Sequence, residues 1–332
     1  MVATKRRFTG FIFCLPTLSL ATLYLACGSR TGLLVPEEPA PEDAASEHVI
    51  RRDAMPEADA DAGFDVVPPF DAPRDVTFRD VPAIDLCPDA GATLIYVLTD
   101  GNDLLSFYPP TLSFTPIGTL ACPDPAGGQP FSMAVDRRGI AYSIFTDGNL
   151  FRVDTASAAC ESTTFFPQLG FATFGMGFVA NTGDAGETLF VAEDTYSNLK
   201  GNSQGLGSID VQSYVLKFVG PFTPNIPGPE LTGTSDGRLF AFYTNAMTQG
   251  SHILEVDKTS GKQLANFPLL VGDPSDAYAF GFWGGVFWVF TSPQGSGITT
   301  VTEFDPTTSA ETTATTFNGV IVGAGVSTCA PQ

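Results

Sequence analysis

The chain has 332 residues, and its 34 Gly, 28 Phe and 16% charged residues describe a turn-rich sheet protein rather than a helical one. A formal charge of −20 excludes general nucleic-acid binding, because the chain has too few cations to displace the counterions of a phosphate backbone. The same charge disfavours docking on anionic membrane surfaces and keeps copies of the chain apart.

At the amino terminus, Lys5, Arg6 and Arg7 precede an apolar stretch from Phe8 to Ala26. This is the layout of a secretory signal. Tyr24-Leu25-Ala26-Cys27-Gly28-Ser29 resembles the lipobox of bacterial lipoproteins, with Tyr24 where an aliphatic residue usually stands. The resemblance implies removal of residues 1–26 and attachment of fatty-acyl chains such as palmitate at Cys27. Two or three such chains anchor a protein firmly where one does not. No second apolar run of about 20 residues occurs, so the lipid is expected to be the only membrane contact. Gly28 and Ser29 carry no acidic inner-membrane retention signal, which points to the outer membrane, on its periplasmic side or at the cell surface.

Residues 27–86 are rich in Pro, Ala, Asp and Glu, with a loose recurrence of Phe64-Asp65-Val66, Phe70-Asp71-Ala72, Arg74-Asp75-Val76 and Arg79-Asp80-Val81. Such a composition buries too little apolar surface to offset chain entropy, and a disordered acidic stalk is expected. Asp59, Asp61 and Asp65 faintly resemble a calcium loop, but an alternating ligand is missing and Phe70 stands where the bidentate Glu belongs. No metal is expected there.

From residue 87 to 332 an internal repeat sets the fold. Thr99-Asp100-Gly101-Asn102 recurs as Thr146-Asp147-Gly148-Asn149, each between two apolar runs. Strand, Asp-Gly turn and strand make a hairpin signature. Degraded copies follow Leu239-Phe240 with Ile253 to Val256, and Val286 to Val289 with Val301 to Phe304. A longer copy pairs Leu189-Phe190-Val191 with Tyr214 to Phe218. Five hairpins at roughly 48 residues per unit suit five blades of a β-propeller. Short strands before the hairpins, Phe131 to Val135, Phe174 to Phe178, Leu231 to Thr234 and Ala279 to Trp283, are expected to line the axis. The first hairpin has no such predecessor, so Val322 to Ser327 is expected to supply it beside Leu94 to Leu98 and close the ring. Asp136, Gly139, Tyr142, Leu150, Val153 and Asp154 carry a repeat that resembles NHL-type propellers. The whole layout resembles secreted propeller lipoproteins of soil bacteria. The fold expected is therefore all-β: a five-bladed β-propeller closed by its C-terminal strand, preceded by a signal peptide and a disordered stalk.

Besides the acylated Cys27, four cysteines remain after cleavage, Cys87, Cys122, Cys160 and Cys329, and in an oxidising compartment they allow three pairings. Cys329 follows the closing strand and Cys87 precedes the strand beside it, so these two are expected to pair. Cys122 and Cys160 then pair by elimination, although strand counting directs them to opposite faces.

Candidates for chemistry are few. Gly201-Asn202-Ser203-Gln204-Gly205 matches the nucleophile-elbow string, with Asp210, Asp236 and His252 downstream, but it sits in a Gly-rich insertion rather than between a strand and a helix. Asp184, Glu187, Glu193 and Asp194 could border a calcium site and read more simply as a solvated turn and strand end. The inner strands offer Met133, Met176, Thr232, Gly281 and Gly325, so the axis is expected to be narrow and uncharged. The aromatic run from Tyr278 to Phe290 reads as packing between blades. The insertion from Tyr196 to Gln212 is the best recognition loop, with Tyr196, Asn198, Lys200, Asn202 and Gln204 as candidate contacts. The reading favours a non-catalytic, monomeric binding or interaction module without cofactor or metal, taking an envelope or extracellular protein or glycan. The alternative is a propeller enzyme that hydrolyses lactones or carbohydrates with acidic residues.

Overall fold

The computed structural model describes Cys87 and residues 93–332, apart from Pro125, Asp184, 195–202, 246–249 and 273–274. The signal peptide, Cys27 and the stalk lie outside the described residues, as do Tyr196, Asn198, Lys200 and Asn202.

Five four-stranded antiparallel sheets form the ring. Blade 1 contains β1 (Ile95–Thr99), β2 (Asp103–Tyr108) and β3 (Ser113–Thr119), and blade 2 contains β4 (Pro130–Val135), β5 (Ile140–Phe145), β6 (Leu150–Asp154) and β7 (Cys160–Ser162). Blade 3 is β8 (Phe174–Ala180), β9 (Glu187–Glu193), β10 (Leu206–Ile209) and β11 (Leu216–Gly220). Blade 4 is β12 (Glu230–Gly233), β13 (Leu239–Asn245), β14 (Gly250–Val256) and β15 (Gln263–Leu269). Blade 5 is β16 (Ser275–Trp283), β17 (Val286–Pro293), β18 (Ile298–Asp305) and β19 (Ala310–Asn318). The last strand, β20 (Ile321–Val326), returns to blade 1 and pairs with β1, Ile95 opposite Val326 and Val97 opposite Ala324. The expected closure is thus present.

The Asp-Gly turns explain the hairpins. Gly148 takes φ 86°, a left-handed conformation that a side chain would strain, and its N–H bonds Phe145 O at 2.9 Å. The inner strands β20, β4, β8, β12 and β16 stand side by side around the axis in that order. Their approach needs small residues: a Cβ on Gly175 would lie 2.1 Å from Pro229 O. Neighbouring inner strands run in one direction, since Gly175 meets Glu230 and Gly177 meets Thr232. The ring therefore has an upper face, where inner strands begin and the second-to-third strand loops turn, and a lower face, where inner strands end.

Period-two alternation divides the core among the gaps between blades. On β17, Phe287 and Val289 pack toward blade 4, while Trp288 and Phe290 pack toward Phe107 of blade 1. The aromatic run is accordingly spent on packing.

One pairing differs from the sequence reading. Phe190 lies opposite Ser208 of β10, and 216–220 forms the outermost strand instead of the hairpin partner. The segment Leu206-Gly207-Ser208-Ile209 is short and glycine-bearing, so its strand character is concealed within the insertion.

Cys87 is bonded to Cys329, with Cα atoms 5.2 Å apart, and Cys122 to Cys160, at 4.9 Å. Strand counting failed for the second pair because 120–122 runs down the gap between blades 1 and 2. There Leu120, Ala158 and both cysteines share one apolar cluster.

Candidate functional site

The upper end of the axis is held by a carboxyl group that the sequence reading missed. Glu230 is the first residue of β12 and only 5% exposed. Its Oε2 accepts a 2.7 Å hydrogen bond from Ser132 Oγ on β4. Strand β8 stands between β4 and β12 in the ring, so this bond crosses the axis, and Glu230 also accepts the Met176 N–H of β8. Burial pushes its proton affinity well above the ordinary carboxylate range; the hydrogen bonds oppose this and the nearby Asp194 charge adds to it. The expectation of an axis without a charged residue is corrected here. The strand begins at Glu230, one residue before Leu231 where the apolar pattern starts, so the acid reads as connector.

Beside it, the β9–β10 insertion leaves from a clamped base. Glu193 is fully buried, and its Oε2 accepts the Gln204 N–H at 2.8 Å. Asp194 N–H bonds Thr173 O at 3.0 Å, and Ser203 N–H bonds Ile226 O at 2.9 Å. Both ends of 195–202 are thereby tied to the connectors that lead into β8 and β12. Of the proposed loop contacts, only Gln204 is described, and it belongs to this base.

Two readings of the acids change. Glu187 and Glu193 are opposite ends of β9, about 20 Å apart at strand rise, and do not share a calcium site. Neither they nor Asp194 are solvated: Asp194 is 9% exposed and the Glu187 side chain 13%. Asp184 lies outside the described residues. Among the described residues, no three His, Cys, Asp or Glu side chains are placed to hold a metal ion.

Ser203 belongs to no assembled triad. Its Oγ accepts the Gly205 N–H at 3.1 Å and strand β10 follows it, whereas His252 bonds Asn266 Oδ1 at 3.0 Å and stacks on Tyr243. Asp210 caps the N–H groups of Gln212 and Ser213, and Asp236 accepts the Thr234 hydroxyl.

At the lower face, Glu187 ties three segments together. It accepts Arg137 N–H at 2.7 Å and the Thr328 hydroxyl at 2.8 Å, and Arg137 Nε donates to Thr328 Oγ1 at 2.7 Å. Desolvation outweighs these bonds and the Arg137 charge 3.8 Å away, and raises the carboxyl to about 7. Thr328 adjoins Cys329, so this knot and the Cys87–Cys329 bond fasten the same tail.

No family model matches the sequence. The curated proteins likewise give no match. Solved structures do match. Hydrazine synthase of Kuenenia stuttgartiensis is 15% identical, with TM-score 0.39, over 68% of this chain and 66% of that one. TolB of Acinetobacter baumannii is 14% identical, with TM-score 0.38, over 68% of this chain and 53% of that one. The extracellular domain of a hybrid two-component system of Bacteroides thetaiotaomicron is 15% identical, with TM-score 0.34, over 69% of this chain and 29% of that one. The chain thus spans between 29% and 66% of the length of these three.

Proposed function

We propose that this chain is an exported, lipid-anchored binding module that displays the 195–202 insertion from the upper face of a rigid ring. The observation that carries the reading is the loop base: a fully buried Glu193 holding Gln204 fixes both ends of a long insertion beside an axis stitched by Glu230 and Ser132. Rigid scaffolds that carry long loops are suited to recognition. In this reading residues 1–26 are the signal peptide, 27–86 a stalk tethered through Cys27, and 87–332 the propeller, acting as a monomer without a cofactor. Two disulfides support export, since such bonds persist in oxidising compartments.

The test uses the purified full chain against glycan arrays and labelled envelope proteins. A ligand is expected whose binding falls at least about tenfold on Tyr196→Ala or Lys200→Ala. Turnover of a lactone or glycan without ligand retention would favour the hydrolase alternative and overturn this reading.

A further inference from the structure

The gap between blades 4 and 5 changes character along its length. At the lower end it is filled by Phe240, Phe287 and Phe304. Toward the upper face the same alternating positions turn from ring to hydroxyl: Phe287, Val289, Thr291 along β17, and Phe304, Thr302, Thr300 along β18. A groove of about 330 Å³ opens there. Thr291 lies opposite Thr300, and Thr302 opposite Thr313, so the floor is a three-strand threonine array. Its side chains stand roughly 4.8 Å apart between strands and 6.7 Å apart along one.

Two of these threonines are buried, Thr291 at 5% and Thr302 at 3% exposure, and both line the groove. Among the described residues no protein hydrogen bond reaches either hydroxyl, and neither oxygen is among the buried atoms left without a partner, so both open onto the groove. A hydroxyl on a groove floor that no protein group occupies is free to hydrogen-bond what enters. The walls are aliphatic, from Leu270, Val271 and Pro293. Leu270 is 92% exposed, and its position is set by the 2.7 Å bond from its N–H to Glu311 Oε2. Among the described residues no basic side chain lines the groove, and Glu311 is the one charged residue there, its Oε2 accepting that bond.

We propose that this groove binds one residue of a neutral sugar. Hydroxyl donors and acceptors on the floor match its ring hydroxyls, and the aliphatic walls cover its C–H face. The Glu311 carboxylate and the lack of a basic lining residue select against uronates, and the volume, at the small end of ligand sites, admits one ring rather than a long chain. This site is separate from the 195–202 loop and goes beyond the function proposed above.

Calorimetric titration of the full chain with neutral mono- and disaccharides, and with glucuronate, tests it. A neutral sugar should bind, and Thr291→Val and Thr302→Val should each weaken it about tenfold, the worth of one lost hydrogen bond. Both variants should keep the wild-type Tm, because each preserves shape and removes a hydroxyl with no protein partner. The proposal is overturned if no neutral sugar binds, if glucuronate binds more tightly, if either variant binds as well as wild type, or if either melts lower. Tyr196→Ala should leave sugar affinity unchanged. Loss of affinity in that variant, with retention in Thr302→Val, would move the site to the loop and sink the groove while sparing the loop reading.

Discussion

Glu187 and Glu230 both lose water on folding, and the Glu187 side chain, at the lower edge, keeps 13% of its surface exposed. Its proton affinity rises from about 4.5 in the unfolded chain to about 7 in the fold. Below pH 4.5 both states hold the proton and the contribution is intact. As pH climbs to about 7 the unfolded chain releases its proton first, so stability falls through that window, by about 3 kcal/mol. Urea unfolding should therefore show wild type losing about 3 kcal/mol relative to Glu187→Gln between pH 4 and 8. Parallel pH profiles would contradict this. At Glu230 the amide is the natural substitute, because it keeps an acceptor for Ser132 and carries no charge into the dry axis. Glu230→Gln should melt near wild type at neutral pH, whereas Glu230→Ala leaves a cavity and two buried donors unpaired and should lose roughly 2–5 kcal/mol. Equal damage in both variants would mean that an ionised carboxylate is required.

Among the elements, β20 was legible and β10 was not, for opposite reasons. The first hairpin visibly lacks an axial strand, and Ile321-Val322-Gly323-Ala324-Gly325-Val326 has the small-residue alternation that the axis demands, so the missing piece and its place imply each other. Strand β10 has four residues inside a glycine-rich insertion, and its pairing with β9 is set by tertiary position rather than by local pattern. Glu230 escaped notice similarly: a single acid after Pro229 reads as connector, and only the ring brings Ser132 from 98 residues away to meet it. The threonine array was visible as letters, but which threonines share a gap depends on blade order. The two disulfides separate local from global stapling. Cys87–Cys329 spans 242 residues and Cys122–Cys160 spans 38, so the chain-entropy treatment assigns about 5.5 and about 4 kcal/mol. Replacing Cys87 and Cys329 by Ser should lower Tm more than replacing Cys122 and Cys160, and the reverse order would show that strain or packing dominates.

At the scale of the whole molecule, the proposed function joins a tether, a ring and a displayed face. The tether is tested directly: Cys27→Ser should abolish labelling by a fatty-acid probe, and undiminished labelling would remove the lipid anchor from the proposal. The face depends on the ring behaving as one body, because a loop or groove between blades recognises a ligand with useful specificity only if the blades hold their spacing. The pairing of β20 with β1, the Glu187–Thr328 knot and the Cys87–Cys329 bond all act on the tail that closes the circle. Hydrogen exchange under native conditions measures whether they succeed. The amides of β1 and β20 are expected to open with the same free energy as those of β8 and β9, in a single global event. Exchange of β20 through a separate opening of lower energy, while β8 and β9 stay protected, would contradict it.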